Sequence, residues 1–506
     1  MDTASLQFVL FGLIAAVLSN LSRSRVWRSI VIMLASLIFL AMLAKSAVAL
    51  IPMAAFLLFG YGALAVRERA RIGWVACSIP VVIFAYAWLK KYTFLPEWSF
   101  LHFPYFTLGL SYIFFRVLHL LIEAGEGTGA EEKRCIGFGA YLLYTLNFTT
   151  LVSGPIQRYD EFARDQFAVQ PLPLGPNVIG LQLERIVRGF FKVNVLAMLL
   201  HMMQENGLEQ LAQPLPIDHK LFSAIQLTVA YPLFLYANFS GYIDIVIGLA
   251  RLMRIRLPEN FDRPFSASSF LDFWNRWHIT LSTWLKMYVY NPLLLALMRR
   301  ISSLSLQPFL GVVCFFITFF LIGVWHGRTS EYIVFGILQG GGVALNKLWQ
   351  LWLTRILGRN AYKRLAKNAT YIAFGRGLTF SWFAFTMFWF WANWKQMSTI
   401  FSAIAVVPWL TVWLVIWFGA TAVLAMWEEL RAVLLKPRTP EGPVLTGRYA
   451  LVVCATAMSV IALVITVLLN QPAPGIVYKA LNTKWIVPGT DTILLKTRTT
   501  FVDSCF

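Results

Sequence analysis

Charged residues are scarce in this chain. Asp, Glu, Lys and Arg make up 13% of its 506 residues, against 58% hydrophobic and 15% aromatic residues. That balance excludes an ordinary water-soluble domain. Cysteine is scarce too: Cys77, Cys135, Cys314, Cys454 and Cys505 are scattered without a CxxC pair, which supports neither a disulfide framework nor a zinc site. The sequence contains no HExxH, no GxSxG elbow and no glycine-rich phosphate loop. It has no evident repeat, coiled coil or low-complexity tract, and it lacks the internal symmetry that many transporters carry. The first apolar run, Leu6–Leu21, has no basic n-region and is followed by arginines, so a retained helix is expected, not a cleaved signal.

What the chain has is hydrocarbon. Ala47–Val66, the run from Phe309 to Val324, Ala403–Trp427 and Tyr449–Leu469 have about the length and apolarity that span a bilayer. Hydropathy predicts an all-α polytopic membrane protein with roughly ten to thirteen segments, some short or re-entrant. The formal net charge of +19 could suggest nucleic acid, but the basic residues cluster in short loops between apolar runs. Arg23–Arg28, Arg67–Arg71, Arg355–Arg376 and Arg431–Arg448 read as cytoplasmic loops that meet anionic lipid, with no nucleic-acid partner. Alternating from them places both termini outside the cell membrane. Arg251–Arg300 offers an electrostatic landing site for an acidic protein.

Histidine is the third scarce residue, with six copies, and two stand out. His278 lies in Phe273-Trp274-Asn275-Arg276-Trp277-His278-Ile279-Thr280-Leu281-Ser282, and His326 in Gly323-Val324-Trp325-His326-Gly327. A titratable imidazole in apolar surroundings points to a functional site facing the interior or a watered cavity. From Phe270 to Tyr288, aromatic and aliphatic residues recur at three- and four-residue steps. This predicts one amphipathic helix with His278 bordering its apolar face. Arg116, His119 and Glu123 fall on one face of a helix expected over Tyr105–Glu123, suited to charge pairing or a substrate contact. Ser153-Gly154-Pro155 breaks a helix at membrane depth, as expected of a cavity wall. Gly336 and Gly340 form a GxxxG pattern for close helix packing. Neutral imidazoles fit general-base acyl transfer, in which a hydroxyl gives up its proton as it attacks a carbonyl. A transporter or flippase using the same cavity, or a non-catalytic scaffold, stays open on these residues alone.

Four blocks resemble the membrane-bound O-acyltransferase (MBOAT) family, in the bacterial branch that includes DltB and AlgI. They are Leu108–Tyr112 with Phe115-Arg116 and Glu123; Ser153–Tyr159; Phe239–Tyr242 through Pro258–Phe265 to Phe273–Ser282; and Gly323–Gly327 continuing to Asn346. The Phe-Arg pair and Ser-Gly-Pro-Ile are closer to DltB, the D-alanyl transfer protein. The resemblance implies an all-α, MBOAT-type ring of 11–13 transmembrane and re-entrant helices around a central tunnel. It implies His326 as catalytic histidine, His278 as second functional histidine, and a tunnel near Arg116, Ser153, Gly154, Pro155, Asn275, Arg276, Trp277 and Trp325. It implies no cofactor and no metal on this chain. The donor would be the phosphopantetheine thioester of an acyl carrier protein, and the acceptor an extracytoplasmic polymer or glycolipid, with an extracellular or periplasmic acyltransferase as a further partner. Residues 1–448 would form the membrane domain with its motif core at 108–349, residues 449–470 a last helix, and residues 471–506 an outside tail. That tail resembles a fused DltX-like segment but carries Asp503 where the related tails have tyrosine, which makes Cys505 or Ser504 the candidate acyl acceptor.

Overall fold

The computed structural model describes residues 5–44, 46–69, 73–103, 105, 107–123, 136–303, 305–434, 437–439, 442–443 and 448–469. Among these, the chain is helical. In order come α1 Leu6–Ser19, α2 Arg25–Leu43, α3 Ile51–Arg69, α4 Gly73–Leu89, α5 Leu110–Glu123, α6 Phe138–Thr145, α7 Phe148–Leu151 and α8 Tyr159–Gln166. Then follow α9 Pro176–Phe191, α10 Met198–Leu211, α11 Ile217–Leu252, α12 Phe270–Arg276, α13 Ile279–Leu285, α14 Asn291–Arg300, α15 Gln307–His326 and α16 Ser330–Leu357. The last are α17 Arg359–Leu365, α18 Ala369–Thr386, α19 Phe388–Trp391, α20 Trp394–Ser402, α21 Val406–Leu434 and α22 Arg448–Leu469. A small antiparallel pairing of Pro437–Thr439 with Gly442–Pro443 is the departure from helix.

Six helical stretches among the described residues are long and apolar enough to cross a bilayer: Arg25–Leu43, Val48–Val66, Pro176–Leu211, Ile217–Leu252, Gln307–His326 and Val406–Arg431. With the shorter apolar α1 and α4, they make this a multi-pass, all-α membrane protein. The chain divides into two compact units, one of Met1–Phe190 with Gly241–Glu259, the other of Phe191–Ser240 with the described residues from Asn260 onward.

In the first unit, α1 and α2 pack through aromatics: Phe8 lies 5.5 Å from Phe39 and 6.4 Å from Phe148, ring centre to ring centre. The expected helix over Tyr105–Glu123 begins only at Leu110. Gly109 takes φ +75° there, and a Cβ on it would stand 2.6 Å from the Leu151 carbonyl oxygen. At Ser153–Pro155 the helix does break: α7 ends at Leu151 and the next helix starts at Tyr159. All three residues are buried, and a side chain on Gly154 would run into the backbone of Thr149 and Thr150. Arg116, almost wholly buried, donates to the carbonyls of Tyr144, Thr145 and Thr150 at 2.9, 2.9 and 2.7 Å. It thereby satisfies the backbone oxygens that the broken helix leaves without helical donors. Glu123 pairs with Arg158 at 2.7 Å and stands 3.5 Å from His119 on the expected face, and His119 accepts from the Tyr159 backbone N–H at 3.1 Å.

The second unit is built on two helix pairs, α15 with α16 and α18 with α21. The glycine pattern works as expected in the first pair. A Cβ on Gly336 would lie 2.5 Å from the Phe320 carbonyl oxygen, and one on Gly340 2.6 Å from that of Phe316. The two backbones approach too closely for any side chain there. Beside them, Leu211, Leu227, Phe380, Phe388, Met397 and Trp409 share an apolar core.

Candidate active site

The predicted continuous amphipathic helix over Phe270–Tyr288 is broken at its centre. α12 ends at Arg276 and α13 starts at Ile279, with His278 between them in the left-handed region at φ 46°, ψ 52°. A non-glycine residue there costs about 1–2 kcal/mol. The segment Asn260–Asp262 supplies the compensation. Asp262 N–H donates to the Arg276 carbonyl at 3.0 Å, and Ile279 N–H to the Asn260 carbonyl at 2.9 Å. The Asn260 side-chain oxygen accepts from Thr280 N–H at 3.1 Å and from the Thr280 hydroxyl at 2.8 Å. His278 is therefore not on the border of a helix face but at a buried corner.

That corner defines the imidazole chemically. His278 is 2% exposed, and its Nδ1 lies 3.3 Å from the same Asn260 oxygen. The Thr280 backbone N–H can only donate, so the Asn260 atom it meets is the carbonyl oxygen, and Nδ1 carries the proton. Nε2 is left as a lone-pair acceptor, buried and without a hydrogen-bond partner among the described residues. Burial pushes the imidazole down to about 3, so it stays neutral near pH 7.

His326 closes α15, where the backbone turns extended at Gly327. Its ring meets Phe390 at 5.0 Å, Phe335 at 6.1 Å and Trp325 at 4.6 Å. The Trp325 indole also lies 6.5 Å from His278. One tryptophan therefore contacts both histidines, which are distant in sequence. Phe239 also meets the His278 ring, at 5.0 Å.

A cavity of about 1210 Å³ lies elsewhere in the same unit, lined among others by Ser269, Phe270, Asn346, Arg355, Tyr362 and Trp382. α12 starts at its wall and leads to His278, a path of about 13 Å at the helical rise. Along α16, Asn346 stands roughly 24 Å from the Ser330 end, next to His326.

A wide apolar cavity, a buried neutral imidazole and a second one among aromatic rings thus lie in one unit of this multi-pass chain. The sequence pattern of the MBOAT, membrane-bound O-acyltransferase family matches residues 3–372. The chain belongs to that family. O-acyl transfer is the chemistry of a membrane-bound O-acyltransferase, and this chain is an enzyme of that class. It is 27% identical over 316 residues to a teichoic acid D-alanyltransferase of Bacillus subtilis, covering 61% of this chain and 75% of the relative. A second protein of that name, from Streptococcus thermophilus, is 32% identical over 48% of this chain and 57% of its own length. A probable alginate O-acetylase AlgI of Pseudomonas aeruginosa is 29% identical over 67% of this chain and 62% of its own length. The chain thus spans about three quarters of the first relative and less than two thirds of the other two.

In this membrane-bound O-acyltransferase the residues singled out by sequence fall in different places. His278, Trp325 and His326 come together, with Trp277 stacked on Phe273 at 5.5 Å behind them. Arg276 is held by Asp272 at 3.0 Å and Asp262 at 3.7 Å, and Asn275 is exposed. Arg116, Ser153, Gly154 and Pro155 belong to the first unit. Ser504 and Cys505 lie outside the described residues. Sequence reasoning passed over Asn260, although it sits inside the Pro258–Phe265 block. It also missed Phe390 and the fully buried Gln339, whose Nε2 donates to the Thr386 hydroxyl at 2.8 Å.

Proposed function

We propose that this enzyme moves a small acyl group, D-alanyl or a short one such as acetyl, onto a hydroxyl of an extracytoplasmic polymer or glycolipid. The donor is a phosphopantetheine thioester on an acyl carrier protein. Both groups of relatives carry names for acyl transfer to polymers rich in hydroxyls. The observation that carries the reading is the pair of imidazoles on one indole, with the Nε2 of His278 buried and bare.

In the reaction, the acceptor oxygen attacks the thioester carbonyl; the new C–O bond forms and the C–S bond breaks. His326 takes the hydroxyl proton and passes it to the departing sulfur. His278, unprotonated at Nε2, accepts a hydrogen bond from a second hydroxyl of the acceptor and so orients the attacking one. The wide cavity receives the donor arm, since its apolar walls suit a long flexible thioester and Arg355 at its edge suits the phosphate. The C-terminal Ser504 or Cys505 serves as an acyl relay when transfer proceeds in two steps.

The decisive experiment supplies a labelled acyl thioester to the protein in sealed vesicles and follows label on the acceptor. His326→Ala is expected to lower transfer by about 10²–10⁴-fold, the usual contribution of a general base. Passage of labelled acyl compound across the membrane, undiminished in His326→Ala and with no acyl transfer, would establish the transporter reading instead. Mass spectrometry of the C-terminal peptide tests the relay: an acyl adduct on Ser504 or Cys505 that vanishes in His326→Ala supports it.

A further inference from the structure

A cluster of arginines lies in the first unit, whereas His278 and His326 belong to the second. Arg23 and Arg28 flank the turn between α1 and α2, and Arg251, Arg254 and Arg256 close α11. Carbonyl oxygens hold Arg28, Arg251 and Arg254 in place. Arg28 donates to the carbonyls of Arg23, Gln166 and Ala168 at 3.2, 3.2 and 3.0 Å. Arg254 donates to Asn20 Oδ1 at 2.6 Å and the Leu172 carbonyl at 2.5 Å. Arg251 donates to the Pro173 carbonyl at 2.9 Å, while its Nη1 is buried without a hydrogen-bond partner among the described residues. Neutral carbonyls orient the groups and cancel none of their charge. The carboxylate that meets them, Asp165, is committed to Arg256 at 2.6 and 3.0 Å.

The arrangement has a cost. Arg254 sits at φ 66°, the left-handed position that ends a helix and that glycine fills without strain. Burial, and then the charges of Arg23 and Arg251, hold Arg254 below the ordinary guanidinium range. Like charges gathered and pinned in this way call for an anion. The adjoining surface says which kind. On the hairpin that carries Arg23, Val17 and Leu21 are 65% and 68% exposed, and Val26 is 60% exposed. Trp27, on the same turn, donates its indole N–H to the Leu18 carbonyl at 2.9 Å, the amphipathic placement typical of a membrane interface. A soluble anion would use only the arginines, and an acidic protein would have to settle on bare hydrocarbon.

We propose that Arg23, Arg251 and Arg254, beside the buried Arg28, bind the phosphate-bearing headgroup of an anionic phospholipid, with its acyl chains along the outer faces of α1 and α2. The test adds phosphatidylglycerol or phosphatidylcholine to the whole protein in neutral detergent and counts retained lipids by native mass spectrometry. The wild type is expected to retain phosphatidylglycerol over phosphatidylcholine. That preference should fall about fivefold on Arg23→Gln, one interfacial charge's worth, and further on Arg254→Gln. Arg254→Lys should keep most of it, and Arg299→Gln, on α14, all of it. Arg23 is exposed, so its variant decides the matter even if Arg254→Gln does not fold. Equal retention of the two lipids, or a preference unchanged in Arg23→Gln, overturns the site. Displacement of the lipid by soluble glycerol phosphate makes it a free-anion site and overturns the lipid. Loss of carrier-protein binding in Arg23→Gln with lipid preference intact replaces the lipid by a protein partner.

Discussion

Asn260 is the residue that sets the protonation of His278. Its side-chain oxygen meets the Thr280 N–H, the Thr280 hydroxyl and His278 Nδ1 at once. Asn260→Ala would remove the acceptor that the Thr280 and His278 donors share, and a buried donor left unsatisfied costs about 1–3 kcal/mol. The expected result is a lower unfolding temperature in detergent together with reduced acyl transfer, because the tautomer is no longer imposed. Acid should act on the same residue. The imidazole's ordinary value is 6.5 and its folded value is about 3. As pH falls below 6.5 the unfolded chain takes up the proton first, so the contribution of a neutral His278 is fully present above pH 6.5 and is lost towards pH 3. Between pH 6.5 and pH 5 the loss is about 2 kcal/mol. Thermal unfolding at pH 7.5 and pH 5 should therefore converge more closely in His278→Gln than in the wild type; an equal acid response in both would contradict the assignment.

Elements matter through how closely they approach. The α15–α16 pair carries His326 at its joint, and glycine permits the contact at some positions only. Gly336→Ala places a methyl against the Phe320 carbonyl, whereas a Cβ on Gly341 meets nothing within 4 Å. The first should cost about 1–3 kcal/mol by overpacking and lower activity by shifting His326. The second should be neutral or stabilise by roughly 0.5–1 kcal/mol, as alanine does for glycine in a helix. Unfolding temperatures of the two variants, measured side by side, check both. The pattern behind this contact was readable in the sequence because GxxxG states its spacing locally. The break at Ser153–Pro155 was readable for the same reason, since proline and glycine act on their own backbone. The break at His278 was not. The apolar periodicity runs on unbroken from Trp274 to Leu281, and the force that interrupts it comes from Asn260–Asp262, a separate segment. Arg116 shows the same limit: its sequence neighbours suggested a pairing with Glu123, while three carbonyls from α6 and α7 hold it.

At the scale of the molecule, membership of the membrane-bound O-acyltransferase family was legible from four blocks of motif, but the cavity was not. Its wall draws on Ser269, Asn346, Tyr362, Trp382 and Trp417, which are separated by up to about 150 residues and share no motif. The packing of α12, α16, α17, α18 and α21 assembles them. A donor entering by this cavity must reach a histidine pair at the other end of α12 and α16, so the rate should depend on the cavity's width more than on the residue that narrows it. Leu345 lines the cavity and is 62% exposed, so a larger side chain there need not disturb the core. Leu345→Trp is expected to lower kcat/KM for the thioester donor at least tenfold, a loss of about 1.4 kcal/mol in transition-state stabilisation. The unfolding temperature should not move. A short thioester without the pantetheine arm should lose much less in the same variant, because it does not depend on the length of the passage. Wild-type kcat/KM with the full donor would place the entry route elsewhere and leave the proposal for the histidine pair untouched.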